Sequence, residues 1–486
     1  MMAKESPLQN GLYEPKDLGA RVPADHVLRQ IAATVDFNFV NDEVERTYGA
    51  VGHESVPPTR VMKLLLLLVL YNVPSERALF RDLPMRIDWL WFLGYDLSST
   101  VPTHSVLSKA RKRWGPDVFS RLFETTIRLC MEAGLVDGRH LLADSSLIDA
   151  NASVDSLFRV AEVVASTATE RLDDLNGDAE RGDDEDASSE PKYRSRTDPD
   201  ATGAKRQSEK RVRPRYQTHR VVDSQNAVIT ATIVGPGHEN EADRLEPLVF
   251  QHTERTGCRA ESLTADTKYG TADVLEFCEV NHIDAYITPF RSTYTKSKDE
   301  QFGECCFRYD SEDDCYTCPA GQRLTRHAYR PDKDAYRYVA AARVCRACPV
   351  RSHCTSSTRG RSINRPARMQ ILERAAKRVR TEEGKARKKR RKWMMEGSFA
   401  QSVPLGYKRA RARGLRNMRI QDYLVAAVQN LLILLRATFL DAQSRIRALF
   451  HPVKTSRGLR ARLRDVFCPD CLFDRLISKP ASFGAN

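Results

Sequence analysis

The chain has 486 residues, 77 basic and 64 acidic side chains, and a formal net charge of +13. A hydrophobic fraction of 41% is enough for a packed core, 29% charged residues give a polar surface, and the length suggests two to four domains. A membrane protein is not expected: Leu64 to Tyr71 is the longest clean apolar run, far short of the ~20 residues a spanning helix needs.

Tyr423 to Leu440 is interrupted by Gln429, Asn430 and Arg436 and reads as a buried or amphipathic helix. The start of the chain (Met1, Lys4, Glu5, Ser6) lacks the pattern of a secretory leader. The twelve cysteines are therefore expected in a reducing compartment, where metal binding is a better first reading than a disulfide frame.

In chain order, residues 1–136 read as helical. Pro57–Pro58 opens a helix whose body is Val61 to Tyr71, and Pro74–Ser75–Glu76 opens the next. Trp89 to Leu93 form an aromatic cluster ending at Gly94. A further helix after Pro102 carries Lys109, Arg111, Lys112 and Arg113, either as a DNA-reading face or as the solvated side of a structural helix. After Gly138 the period becomes strand-like. His140 to Asp144 is a short apolar run ending in a carboxylate, Tyr216 to Val222 and Ala227 to Val234 form a hairpin, and Glu261 to Asp266 is another strand ending in a carboxylate. Helices over Ala242 to Thr256 and Thr271 to Asn281, and a strand over Asp284 to Thr288, complete a β, hairpin, α, β, α, β order. That order suits an α/β fold with an RNase H-like mixed sheet. The acid-rich segment at about 165–212 reads as a solvated insert.

Between residues 374 and 419 there are seventeen Lys or Arg and three acids, so this stretch accounts for the whole positive surplus. Such a concentration attracts polyanions, and Lys388, Lys389, Arg390, Arg391 and Lys392 read as nucleic-acid contacts. Asp144 and Asp266, on neighbouring strands, suit a hard cation such as Mg²⁺ or Mn²⁺; equally, each caps the turn after its strand. Glu396, just after the basic run, reads as a metal ligand or as an ordinary ion-pair partner. Cys315–x–x–Cys318 and Cys345–x–x–Cys348, about 26 residues apart, match a structural tetrahedral Zn²⁺ site, with Cys354 as a further ligand. There is no Walker phosphate loop, Gly235–Pro236–Gly237 is a turn rather than a dinucleotide fingerprint, and His238–Glu239 lacks the second histidine of a zinc protease.

Taken together, Trp91–Phe92–Leu93–Gly94, Val101 to Ser105, Ala143–Asp144–Ser145–Ser146, Thr197 to Ala201, Tyr216 to Asp223, Ala265 to Gly270, and Glu396 through Arg411–Ala412–Arg413–Gly414–Leu415 to Gln429–Asn430–Leu431 resemble the bacterial insertion-sequence transposases of the DDE class. The resemblance implies an RNase H-like catalytic core in which Asp144, Asp266 and Glu396 bind two Mg²⁺ or Mn²⁺ ions. It further implies phosphodiester hydrolysis and strand transfer on double-stranded DNA, a cytoplasmic, nucleoid-associated protein, and a homodimer as one available assembly. The domains expected are a helical DNA-binding region (1–136), a first part of the core (137–300), a cysteine-rich zinc insertion (301–365), a second part of the core (366–445) and a tail (446–486). One departure is Val403–Pro404, seven residues past the glutamate, where similar proteins often carry a lysine; Lys408, Arg409, Arg411 and Arg413 are the expected substitutes. A cleavage-inactive DNA-binding derivative and an RNase H-like nuclease without strand transfer are the rival readings.

Overall fold

The computed structural model describes residues 17–49, 54–160, 190–289, 302–303 and 306–450. The chain divides into two units, residues 1–435 and 436–486. Among the described residues the first begins with eight α-helices: α1 (Leu18–Arg21), α2 (Val27–Thr34), α3 (Phe39–Val44), α4 (Pro58–Leu70), α5 (Glu76–Asp82), α6 (Ile87–Leu93), α7 (Ser105–Trp114) and α8 (Asp117–Glu132). Proline begins α4, where its missing N–H has no helical partner to lose. Ser75 caps α5 through the Ala78 amide, and Gly94 ends α6 in the left-handed conformation that glycine adopts without strain. Nearly every residue of α4 is buried, so it is the central rod of this helical region.

The main sheet is mixed. β1 (His140–Asp149) is followed by β2 (Leu157–Arg159), β3 (Tyr193–Ser195), β4 (Thr202–Ala204), β5 (Arg213–Asp223), β6 (Ile229–Pro236), β7 (Ser262–Thr264) and β8 (Asp284–Ala285). The core order is β6-β5-β1-β7-β8. β1, β5 and β6 are antiparallel neighbours, while β7 and β8 run parallel to β1. β2, β3 and β4 extend the sheet from the first residues of β5. β3 and β4 fall inside the range expected to be a solvated insert; of that range, residues 165–189 lie outside the described residues. The expected hairpin is present, with a register irregularity between Val221 and Val222.

Helices cover both faces. α9 (Leu245–Thr256) and α10 (Ala272–Val280) pack on one, where Leu141, Ala143, Val221 and Leu263 meet Leu248 and Leu275. After a cysteine-rich module come α12 (Met369–Arg380), α13 (Glu382–Ser402) and the long α14 (Leu415–Phe450). α14 joins Leu142, Ile148 and Val222 to the core of the helical region through Leu424, Val425 and Val428. Its segment Leu415–Thr438 is long and apolar enough to cross a membrane, yet 78% of that window is buried within the protein, as a core helix would be.

The module itself is a second, antiparallel sheet, β9 (Arg308–Asp310), β10 (Cys315–Thr317), β11 (Arg323–Arg330), β12 (Ala335–Val339) and β13 (Ser362–Pro366), with the short helix α11 (Ala342–Arg346). It has an apolar core of its own around Phe307, Tyr316, Leu324, Tyr338 and Ile363, in which the rings of Tyr309, Tyr316 and Tyr338 lie 5.0–6.1 Å apart.

Candidate active site

Leu142 of β1 is paired with Thr264 of the parallel strand β7. Two residues beyond each of these come Asp144 and Asp266, so the sheet register sets the two carboxylates side by side. Asp144 is not at a strand end: β1 continues through it, because Ser145 to Asp149 also pair with β5. Asp266 lies just past β7 and is more open.

Both face one guanidinium. Arg391 on α13 approaches Asp144 Oδ2 with Nη2 at 2.8 Å and Asp266 Oδ1 with Nη1 at 3.8 Å, and its Nε donates to the Ala143 carbonyl at 3.4 Å. Burial pushes the Asp144 carboxyl up to about 6; Arg391 opposes that shift, and the charges of Asp266 and Glu241 add to it. Glu241, which no spacing in the sequence singles out, is buried after β6. Its Oε1 accepts from Lys268 Nζ at 2.6 Å and from Gln217 Nε2 at 3.0 Å, and Gln217 also donates to Ser145 Oγ. Lys268 stands two residues past Asp266. Beside these groups is a cavity of about 480 Å³, lined by Ser145, Gln217, Glu239, Glu241, Lys205, Arg206 and Lys268.

Glu396 is on a helix, as expected, but does not join the pair. On α13 the buried residues Gly384, Met394, Met395, Ser398 and Ser402 define the inward stripe, and Glu396 lies off it, exposed. Among the described residues no hydrogen bond or ion pair engages its carboxylate.

The basic stretch is used differently from its charge alone. Arg387 donates to Ser262 Oγ, Lys388 to Thr288 Oγ1 and Arg390 to the Ser224 carbonyl, so with Arg391 they fasten α13 to the sheet. Arg411 is largely buried and donates to the Val73 and Leu68 carbonyls and to Asn72 Oδ1, which terminates α4 and corrects its reading as a DNA contact. Arg111 pairs with Glu76, Arg113 lies over the Tyr48 ring and Arg413 donates to the Asn151 carbonyl. Lys109, Lys112, Lys389, Lys392, Lys408 and Arg409 are exposed.

In the cysteine module, Cys315 does not share a turn with Cys318. Cys315 to Thr317 are strand β10, and three extended residues span about 10 Å. The tight turn is instead Cys318 to Gly321, where Gly321 has φ +75° and Cys318 Sγ accepts the Gln322 amide. Cys318, Cys345, Cys348 and Cys354 line one small cavity, and Cys315 does not. Among the described residues, no three His, Cys, Asp or Glu side chains are already gathered closely enough to hold a metal ion.

Family comparison bears on both ends of this arrangement. A transposase domain model (DUF772) matches residues 16–113, the first seven helices, and a transposase DDE domain model matches residues 317–435, from the end of β10 in the cysteine module into α14. Together the two matches support an insertion-sequence transposase of the DDE class. The DDE match includes Glu396 and Arg391 but not the strands that carry Asp144 and Asp266. Neither the curated proteins nor the solved structures yield a match.

Proposed function

We propose that this transposase cuts and joins DNA strands at Asp144 and Asp266. The observation that carries the reading is the convergence of these two carboxylates, from separate parallel strands, on a single cationic group. The donor set fits a divalent ion: paired carboxylate oxygens are what Mg²⁺ or Mn²⁺ takes from protein, with substrate oxygens supplying the rest. Such ions supply an activated oxygen nucleophile and stabilise the oxygen that departs.

Within that chemistry the chain's own groups have separable tasks. Asp144, with its carboxyl at about 6, is mostly ionised at neutral pH and presents an anionic oxygen. Lys268, held by Glu241, offers positive charge next to Asp266 for a phosphate arriving there. Double-stranded DNA is the proposed partner, contacted by the exposed Lys109, Lys112, Lys389, Lys392, Lys408 and Arg409, and the β6-β5-β1-β7-β8 order supports an RNase H-like description of the core. Glu396, which stands outside the pair among the described residues, is proposed as third acid on the family resemblance alone, and two chains acting as a dimer is part of the same reading.

Strand cleavage of DNA carrying the element's ends, in Mg²⁺, is the test. Asp144→Asn and Asp266→Asn should each lower the rate by more than about a hundredfold, beyond the loss typical of outer-shell changes. Cleavage that survives either change removes the assignment, and a joined product separates the transposase from a nuclease. The cysteine module is proposed to hold one structural Zn²⁺ through Cys318, Cys345, Cys348 and Cys354, supported by the cavity they share. Metal analysis of the purified chain should return zinc, and Cys354→Ser should lose it while Cys315→Ser keeps it; zinc lost with Cys315 instead would refute this ligand set.

A further inference from the structure

Arg391 departs from the ordinary behaviour of an arginine beside an acid. A guanidinium usually takes both oxygens of one carboxylate through two parallel bonds. Here its two terminal nitrogens are divided between Asp144 and Asp266, which belong to different strands, so the group stands between them. Its side chain is only 13% exposed, and the donation from Nε to the Ala143 carbonyl fixes its plane. The helix that carries it is fastened to the sheet in the turn just before this contact, by Arg387 at Ser262, Lys388 at Thr288 and Arg390 at Ser224.

We propose that Arg391 is an internal competitor for the divalent cation at Asp144 and Asp266, an autoinhibitory contact built into α13. The inference rests on the reading of those two residues as the metal-holding pair. An ion bonded to Asp144 Oδ2 and Asp266 Oδ1 claims the oxygens that now face the guanidinium, and two cations at that separation repel strongly in a half-buried site. Either Arg391 or the ion holds the pair. When the side chain swings away, it is left next to the cleft with an unsatisfied fork, and a DNA phosphate is the natural replacement partner. The basic helix thereby offsets one of the two carboxylate charges and gives up that cation when substrate and metal arrive.

Mn²⁺ binding to the full chain, followed by calorimetry or by the loss of the free-ion resonance signal, tests this apart from activity. Arg391→Gln should bind Mn²⁺ about tenfold more tightly than the unaltered protein, the scale of losing one competing charge. Arg391→Lys, whose single ammonium cannot reach across both carboxylates, should fall between the two and carries the test if the glutamine variant does not fold. Lys385→Gln, the same charge change on the same helix, should bind as the unaltered chain does. Equal or weaker binding in both Arg391 variants overturns the competition, as does an equal gain in Lys385→Gln. Asp144→Asn separates the layers. If it loses Mn²⁺ while the Arg391 variants are unchanged, the metal pair stands and the competition falls; if it binds Mn²⁺ normally, both fall.

Discussion

His219 lies in β5 fully buried, and neither ring nitrogen has a hydrogen-bond partner among the described residues. Burial lowers its ionisation to about 3, helped by the charge of Arg244. The folded chain therefore keeps this ring neutral between about pH 3 and 6.5, whereas the unfolded chain takes up a proton there. Stability must fall as pH drops below about 6.5, by up to about 1.4 kcal/mol per pH unit for this one group. In urea unfolding at pH 7.5 and 5.5, His219→Leu should lose about 1 kcal/mol less than the unaltered chain; equal losses would show that the ring is protonated when folded. At this scale the motifs single out Asp144 and Asp266, which the fold sets side by side. The sequence hid Glu241, whose partners Gln217 and Lys268 meet it only in three dimensions, and misdirected Arg411, whose charge counted toward the basic run while its guanidinium ends a helix far away in the chain.

α14 owes its position to polar groups in an otherwise apolar interface. Asp422, buried, accepts from Thr218 and Thr232 Oγ1, from the Tyr407 hydroxyl and from Arg220. Gln429 accepts from Arg220 Nη1 at 2.9 Å and donates to the Ser398 carbonyl, and Asn430 pairs with both backbone groups of Ile229 as another strand would. At the helix start, Asp198 accepts the Gly414 amide and Asp200 the Leu415 amide. Removing the Asp422 carboxylate strands the Arg220 charge in the interior, which costs about 3–5 kcal/mol. Asp422→Ala should accordingly shift the urea midpoint strongly, whereas Glu382→Ala, at an exposed pair, should leave it nearly unchanged; similar shifts for the two would contradict the clamp. The helices and the hairpin were legible because their apolar periodicity is local. The length of β1 was not, because Ser145–Ser146 breaks its apolar run and only pairing to β5 carries it on to Asp149.

For the 1–435 unit as a whole, net charge points to a polyanion partner but does not say which cations would face it. Four of the cations on α13 hold the helix to the sheet, and the exposed lysines are spread over α7, α13 and the segment before α14. The cysteine pattern announced a separate module yet mistook its frame: a strand occupies the first CxxC, and Cys354 takes its place at the cavity. Family likeness supports a transposase, and the register of β1 against β7 sets Asp144 beside Asp266, where the proposed chemistry lies. The most direct measurement is the position of Mn²⁺ in crystals of the full chain, located by its anomalous scattering. An ion about 2.1 Å from carboxylate oxygens of both Asp144 and Asp266, with Arg391 turned away, is the predicted result. An ion bound elsewhere, or one held by only one of the two aspartates with Arg391 still between them, would contradict it.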